Sequence, residues 1–249
     1  MKHEITERTA VRRLGLITID LGFEALPGMV WHADTFDFDV QHHQLRATSL
    51  GQRIVAGDPK LRESVIKAGQ ELAADGVDEV ATACGYFSVY QQDLEIATGK
   101  AVHSSPLMML PELLGQLPAE LGVLVVWAAD SGANPAALTA AGIDPANDRV
   151  SSTAMPADGA FALSVLGDDA IDVNTITDEL ASVVTAGTVT SENQTHKVGA
   201  VLLECGEMPA FASTLRSQSG PPIYDYNDYL RGCFTGSTDQ QGGRHATRR

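Results

Sequence analysis

The chain has 249 residues and is acidic, with 17 Lys and Arg against 32 Asp and Glu and a formal net charge of −15. Its length is enough for one large α/β domain or two lobes of ordinary size, and the charge argues against binding to a nucleic-acid backbone or to anionic lipid. No apolar run approaches the ~20 residues that span a bilayer. From the charge and from this pattern together, we expect neither nucleic acid nor a membrane among its partners.

The chain opens on MKHEITERTAVRR, which mixes acidic and basic side chains and is unlike a signal peptide. We therefore expect a cytoplasmic protein. The first apolar run predicts a strand at Arg13–Ile19, followed by a long loop with an extended piece near 38–45. The rest of the first half predicts alternating helices and strands. These are a helix between Asp58 and Gly76, strand 77–83, helix 86–97, strand 101–104 and helix 106–117.

The second half repeats this order. It begins with the predicted strand Leu121–Trp127, which starts on a Leu-Gly pair and continues as a β-branched run, much as Arg13–Ile19 does. Further elements follow it. They are helix 133–140, strand 149–154, a helix within 171–186, strand 198–203, helix 210–218, strand 222–226 and helix 227–234.

These elements predict an α/β fold of two similar lobes, each a parallel sheet flanked by helices. We expect a pseudo-twofold axis to relate the lobes, with the active site between them. The first lobe comprises residues 12–116 and 227–235, and the second comprises residues 117–226. The polar tail, 236–249, is expected to be disordered.

Two of the three cysteines follow predicted strands at equivalent positions. Cys84 ends the strand in VDEVATACGYF and Cys205 ends the strand in VGAVLLECGEMP, and a glycine follows each. Parallel sheets bind ligands beyond the carboxyl ends of their strands, so the two thiols should approach one ligand from opposite sides. That arrangement suits proton transfer at a carbon atom, which makes both cysteines candidate catalytic residues. The competing interpretation is that both are buried core residues.

Other candidate residues lie beside these cysteines. A helix amino terminus after each cysteine should lower the pKa of its thiol, and the amides around Gly85 and Gly206 are placed to hold a substrate carboxylate. Glu204 and Glu207 flank Cys205, and we expect one to be solvated and the other to tune the thiol, although an acidic neighbour raises a thiol pKa. The predicted substrate-binding residues are Asp20, Gly85, Tyr86, Trp127, Gly206 and Glu207.

Two of these residues also have structural interpretations. Asp20 follows the first strand, where it either caps a loop or contacts the substrate, and Trp127 is either a core aromatic or a wall of the pocket. No ligand-spaced group of His and Cys residues occurs, and no glycine-rich phosphate signature is present. We therefore predict neither a metal site nor a cofactor.

The motifs resemble those of the aspartate/glutamate/hydantoin racemase superfamily, which also includes maleate cis-trans isomerases and arylmalonate decarboxylase. The resemblance covers most of residues 13–229. It rests on ATACGYFSVYQ at 81–91, LLECGEMPAF at 202–211, PGMVWHADTFDFDV at 27–40 and LGVLVVWAADSG at 121–132. It implies two α/β lobes around the active site, cofactor-independent chemistry, and Cys84 and Cys205 as the acid/base pair. Racemases of this kind carry Asn-Thr after the first cysteine and Thr after the second. Gly85-Tyr86 and Gly206 here argue against aspartate or glutamate as substrate.

We predict a cofactor-independent racemase or epimerase that inverts the carbon next to a carboxylate or carbonyl of a small molecule, working as a homo-oligomer. Two alternatives in the same crevice are maleate-type cis-trans isomerisation and malonate-type decarboxylation, and a third is a non-catalytic binding protein. The aromatic segment, defined here as residues 22–40, is expected to cover the crevice with Phe23, Trp31, Phe36 and Phe38. Alternatively, these rings pack on the lobe or on a partner subunit.

Overall fold

The computed structural model describes residues 12–45, 59–129, 134–165, 167, 170–188, 196–217 and 220–235. The predicted tail at 236–249 and the predicted helix start at Asp58 lie outside these residues. No helix within the described ranges is long and apolar enough to cross a membrane.

The first half of the chain forms a parallel sheet with helices packed against it. Its elements are β1 (Arg13–Ile19), β2 (Asp39–Leu45), α1 (Pro59–Ala74), β3 (Glu79–Thr82), α2 (Gln91–Thr98), β4 (Ala101–His103) and α3 (Leu110–Gln116). The strand order is β2-β1-β3-β4, and every pair is parallel. β1 is buried at every position after Arg13, as expected for a central strand covered on both faces.

The second half forms a sheet of the same design. Its elements are β5 (Leu121–Trp127), α4 (Pro135–Ala140), β6 (Val150–Ala154), α5 (Ala160–Val165), α6 (Val173–Thr188), β7 (Lys197–Leu203), α7 (Ser213–Arg216) and β8 (Ile223–Tyr224). The order β6-β5-β7-β8 repeats the first sheet with every pair parallel. The predicted α/β fold of two similar lobes, each with a parallel sheet, is therefore confirmed.

The last helix, α8 (Tyr226–Thr235), follows β8 directly. Tyr226 and Leu230 are fully buried in one cluster with Leu14 of β1 and Ala81 of β3. The carboxyl-terminal helix therefore packs on the first sheet, although it follows the second sheet in the chain.

The predicted starts of three helices are wrong, because in the structure a 3₁₀ turn precedes each α-helix. These turns are Gly85–Tyr90 before α2, Pro106–Met109 before α3 and Met208–Phe211 before α7. Such tight turns are common where a chain enters a helix, and apolar spacing does not distinguish them from α-helix. The sequence also gave no prediction of α5, since six residues are too few for a helical period to be recognised.

Candidate active site

β3 and β7 deliver the two cysteines to one place. Ala83 donates its amide to a carbonyl of β1 at 2.8 Å, and Glu204 donates its amide to a carbonyl of β5 at 3.0 Å. Each residue thus continues the sheet bonding, and Cys84 and Cys205 are the next residues along the chain. We call residues 83–86 the Cys84 loop and residues 204–207 the Cys205 loop.

The two cysteine loops touch each other through their glycines. A Cβ atom on Gly85 would overlap both Oε1 and the carbonyl oxygen of Glu204, and one on Gly206 would overlap the carbonyl oxygen of Ala83. The Val30 amide also donates to the Gly206 carbonyl at 2.9 Å, which holds the aromatic segment against the Cys205 loop. A larger residue, such as the Asn or Thr of amino-acid racemases, has no room at either glycine.

Cys205 lies in a short hydrogen-bonded chain. Its thiol donates to Oε2 of Glu207 at 2.7 Å, and Nε1 of Trp31 donates to Oε1 of the same carboxyl group at 3.3 Å. Cys205 is only 8% exposed and Glu207 only 7%. Burial, followed by the charges of Glu207 and Glu204, raises the pKa of Cys205 well above its ordinary value. This thiol is therefore held protonated.

Cys84 is partly exposed and has a different environment. Burial and then the charges of Glu204 and Glu207 raise the pKa of its thiol, while the backbone amides of Tyr86 and Phe87 oppose that rise. The expectation that a helix amino terminus lowers both thiol pKa values is wrong. Both following turns are short 3₁₀ segments, and burial beside two carboxyl groups outweighs their amides.

Both glutamates of the Cys205 loop are buried, so the expectation that one of them is solvated is wrong. Glu204 is 0% exposed, and neither of its carboxyl oxygens has a hydrogen-bond partner among the described residues. Burial, and then the charge of Glu207, raises the pKa of Glu204 to about 8, although the Ala128 amide acts in the opposite direction. Burial also raises the pKa of Glu207, but its bonds from Cys205 and Trp31 oppose that rise.

The other predicted site residues are placed differently from one another. The Tyr86 ring lies 5.9 Å from the ring of Trp127, which is 1% exposed and donates from Nε1 to Ser152 at 3.1 Å. Trp127 therefore has the environment of a core aromatic. Asp20 is exposed and accepts the Gly22 amide at 3.1 Å, as a loop cap does.

Two polar residues that the sequence analysis did not select also lie near Cys84. The Thr82 hydroxyl donates to the Ser104 carbonyl at 2.7 Å and lies 3.1 Å from the hydroxyl of Tyr226. Both residues are fully buried, and burial raises the pKa of Tyr226, with a smaller contribution from the charge of Cys84. The sequence offered a signal for Thr82, because it is a hydroxyl-bearing residue within the apolar run that forms β3. Tyr226 comes from α8, and no local pattern indicates that contact.

The aromatic segment divides its rings between two places. Trp31 lies at the Cys205 loop, with the Phe23 ring 5.6 Å from its own ring. Phe36 and Phe38 are stacked at 4.9 Å, and Phe38 lies 4.6 Å from Phe234 of α8. The first pair is thus placed near the thiols, whereas the second pair packs on the lobe.

No group of three or more His, Cys, Asp or Glu side chains within the described ranges is arranged to hold a metal ion. The ionisable side chains of the two cysteine loops include two thiols and two buried carboxyl groups. Such a set can take, give and share protons at a bound substrate.

The sequence relatives of this chain share one activity, whereas the solved structures that resemble it have several activities. No family model matches the sequence. A dimethylsulfoniopropionate lyase from Durusdinium sp. clade D is 25% identical over 226 residues, which cover 85% of this chain and 70% of that protein. Dimethylsulfoniopropionate lyase 7 from Emiliania huxleyi (strain CCMP1516) is 23% identical over 216 residues, covering 85% of this chain. The chain spans 63% of that relative's length.

The solved structures that resemble the chain are racemases and a decarboxylase. A glutamate racemase isoform from Bacillus anthracis has a TM-score of 0.57 at 12% identity, covering 90% of this chain and 82% of its own. The aspartate racemase of Picrophilus torridus has a TM-score of 0.56 at 14% identity, covering 91% and 94%. Arylmalonate decarboxylase has a TM-score of 0.55 at 16% identity, covering 92% and 94%. The chain therefore has the fold of the aspartate/glutamate racemase superfamily, as the resemblance of its motifs implied.

Proposed function

We propose that the chain is a cofactor-independent lyase that removes a proton from the carbon next to a carboxylate and then expels a cationic leaving group from the adjacent carbon. The observation that carries this proposal is the convergence of Cys84 and Cys205, at the ends of β3 and β7, in loops that touch each other. Two thiols facing one ligand supply the base and the acid for chemistry at that carbon.

The surroundings of the two thiols suggest which one is the base. The amides of Tyr86 and Phe87 act to stabilise a thiolate at Cys84, whereas the Cys205 thiol donates to Glu207. We therefore assign proton abstraction to Cys84. Cys205 donates its one thiol proton to Glu207 in the free protein, and we assign it a hydrogen bond to the bound substrate, from which no proton is transferred in the elimination.

The charge around the thiols favours a substrate that carries a positive group. The side chains that shift the pKa of Cys84 and Cys205 most are the carboxyl groups of Glu204 and Glu207, and no cation is among them. A substrate cation bound beside Cys84 would lower the pKa of its thiol and generate the thiolate that acts as base. A substrate with two carboxylates, such as a maleate or malonate, would instead meet like charge.

The related lyases are named for a substrate with this charge pattern, a propionate that bears a dimethylsulfonium group. Elimination from it balances without a cofactor. The Cys84 thiolate takes the proton from the carbon next to the carboxylate, and the electron pair of that C–H bond becomes the new C=C bond. The C–S bond breaks with its electron pair going to sulfur, which leaves as neutral dimethyl sulfide, and acrylate remains.

Racemisation or epimerisation is the second candidate, because it begins with the same proton abstraction. The second thiol favours it, since Cys205 can return a proton to the opposite face of the carbon. The two reactions differ only in the fate of the carbanion, which either loses a group from the adjacent carbon or is protonated again.

The test is to incubate the purified protein with dimethylsulfoniopropionate and measure dimethyl sulfide by gas chromatography and acrylate by liquid chromatography. We expect equal amounts of the two products, and a loss of at least about 10³-fold in kcat/KM for Cys84→Ser and Cys205→Ser. Cys233→Ser is the matched control, because Cys233 is an exposed thiol on α8, and its variant should keep the activity.

Two results would contradict the proposal. Full product release by the Cys84→Ser variant would refute the thiol mechanism. If the unaltered protein released no product, the assignment as a lyase would be refuted. In the second case, deuterium uptake from heavy water at the α-carbon of chiral carboxylates tests the racemase. That uptake should be lost in the same two variants.

A further inference from the structure

Glu204 is a buried acid for which neither the fold nor the two-thiol mechanism accounts. It is 0% exposed at the end of β7, and neither carboxyl oxygen has a hydrogen-bond partner among the described residues. Burying an ionisable group without a partner is costly, and such groups occur mainly where function requires them. The group therefore requires an explanation other than packing.

Glu204 lies where the two cysteine loops meet. It directly precedes Cys205 in the chain, and its Oε1 lies against the backbone of Gly85, the residue after Cys84. The absence of a side chain at Gly85 is what leaves room for the Glu204 carboxyl group. The Glu204 carboxyl group therefore belongs to the contact between the loops that carry the two thiols.

The two carboxyl groups of the Cys205 loop have opposite surroundings. Glu207 accepts hydrogen bonds from the Cys205 thiol and from Nε1 of Trp31, and this stabilises its carboxylate form. Glu204 has no side-chain donor among the described residues, and burial beside Glu207 raises its pKa to about 8 against the weaker opposing effect of the Ala128 amide. These surroundings push the pKa values of the two neighbouring acids apart, and Glu204 is the one that keeps its proton at pH 7.

We propose that Glu204 is a catalytic acid whose protonated carboxyl group donates a hydrogen bond to a substrate carboxylate oxygen. This inference rests on the proposed proton abstraction. As Cys84 removes the α-proton, the electron pair of the C–H bond moves toward the substrate carboxylate, and the second negative charge develops on its oxygens. The proton stays on Glu204, and its hydrogen bond stabilises this enediolate. The enediolate then collapses as the sulfide leaves.

Replacing Glu204 separates this role from its alternatives. Glu204→Gln keeps a hydrogen-bond donor of the same size but cannot ionise, whereas Glu204→Met keeps the volume and removes the donor. We expect kcat/KM for dimethylsulfoniopropionate to fall less than about tenfold in the first variant and about 10²–10³-fold in the second. Equal losses in both variants would mean that an ionised Glu204 is needed. An active Glu204→Met would mean that Glu204 does not act in the reaction, and either result overturns the proposal.

An infrared measurement tests the same inference without turnover. At pH 7 the protein should show the C=O stretch of a protonated carboxyl group that is absent from Glu204→Gln and retained by Glu63→Gln, an exposed control on α1. Saturating propionate should shift this band, because its carboxylate accepts the Glu204 hydrogen bond. An absent or unmoved band overturns the inference whatever the reaction is. A shifted band with no product release would refute the lyase and leave the Glu204 contact intact.

Discussion

At the level of single residues, Gly85 and Gly206 determine how closely the two cysteine loops approach. Neither glycine has a positive φ angle, so their value here is the missing side chain rather than an unusual backbone conformation. An added Cβ at Gly85 would overlap the Glu204 backbone as well as its side chain, and backbone cannot move aside easily. The separation of the two thiols therefore depends on these positions.

We predict that Gly85→Ala separates the loops and lowers kcat/KM by at least about 10²-fold, since a small misplacement of reacting groups is costly. Its free energy of unfolding should fall by about 1–3 kcal/mol because of the overlap. Gly115→Ala on α3 is the matched control, because a Cβ there meets nothing within 4 Å and an alanine favours the helix. Urea unfolding and steady-state kinetics on both variants check this. Equal behaviour of the two variants would contradict it.

The sequence led to some residues of the site and not to others. Cys84, Cys205 and their glycines were recognisable because each follows an apolar run at the same point of a repeat. The sequence places Glu204 directly before Cys205 but does not indicate that its side chain is completely buried. Burial depends on contact with Gly85, which is more than a hundred residues away in the chain, and no local pattern encodes such a contact. A lone acid directly after the apolar strand Val198–Leu203 was the available signal.

At the level of elements, the aromatic segment has two separate roles. Its Trp31 end contacts the Cys205 loop, and its Phe36 end contacts α8, where Arg231 lies with its guanidinium 5.6 Å from the Phe36 ring centre. The length of the loop indicated that it is more than a connection. Which ring faces which partner depends on tertiary contacts, and the sequence left both interpretations open.

We predict that Trp31→Phe lowers the activity of the protein, whereas Phe36→Leu lowers its stability. Trp31→Phe removes the Nε1 donor to Glu207 and should lower kcat/KM about five- to tenfold, the loss of one hydrogen bond of about 1 kcal/mol. Phe36→Leu should leave kcat/KM within about twofold and lower the free energy of unfolding by about 1–2 kcal/mol, because it removes a stacked ring. The check is turnover and urea unfolding of both proteins side by side. A catalytic loss in Phe36→Leu with none in Trp31→Phe would refute this division.

For the whole molecule, the repeat in the sequence predicted the architecture well. β1 and β5 have the predicted bounds, and both sheets have the same strand order around them. This succeeded because central parallel strands are buried on both faces and appear as continuous apolar runs. The ends of helices were harder, since 3₁₀ turns and α-helices share their apolar spacing. The position of α8 on the first sheet was expected, and Asn227 further joins it to the aromatic segment by donating to the Gly28 carbonyl at 2.8 Å.

The stability of the whole molecule should depend on pH through the buried acids. Glu204 has an ordinary pKa of 4.5 and a pKa of about 8 in the folded protein, so the folded state binds more protons than the unfolded state between these values. The free energy of unfolding must then fall as the pH rises through this range. His103 acts in the opposite direction, because burial lowers its pKa from 6.5 to about 4, so its contribution increases stability as the pH rises through that window.

We therefore predict that Glu204→Gln removes the first effect and leaves the second. At pH 5 the variant and the unaltered protein should differ by less than about 1 kcal/mol, because both side chains are neutral there. At pH 8 the variant should be more stable than the unaltered protein by roughly a few kcal/mol, because its folded state contains no buried carboxyl group that is costly to ionise. Urea unfolding of both proteins at pH 5, 6.5 and 8 measures the difference, and His103 cancels because both proteins contain it. Parallel stability curves for the two proteins would mean that Glu204 has an ordinary pKa in the folded state, and its role as a protonated donor would fail with that result.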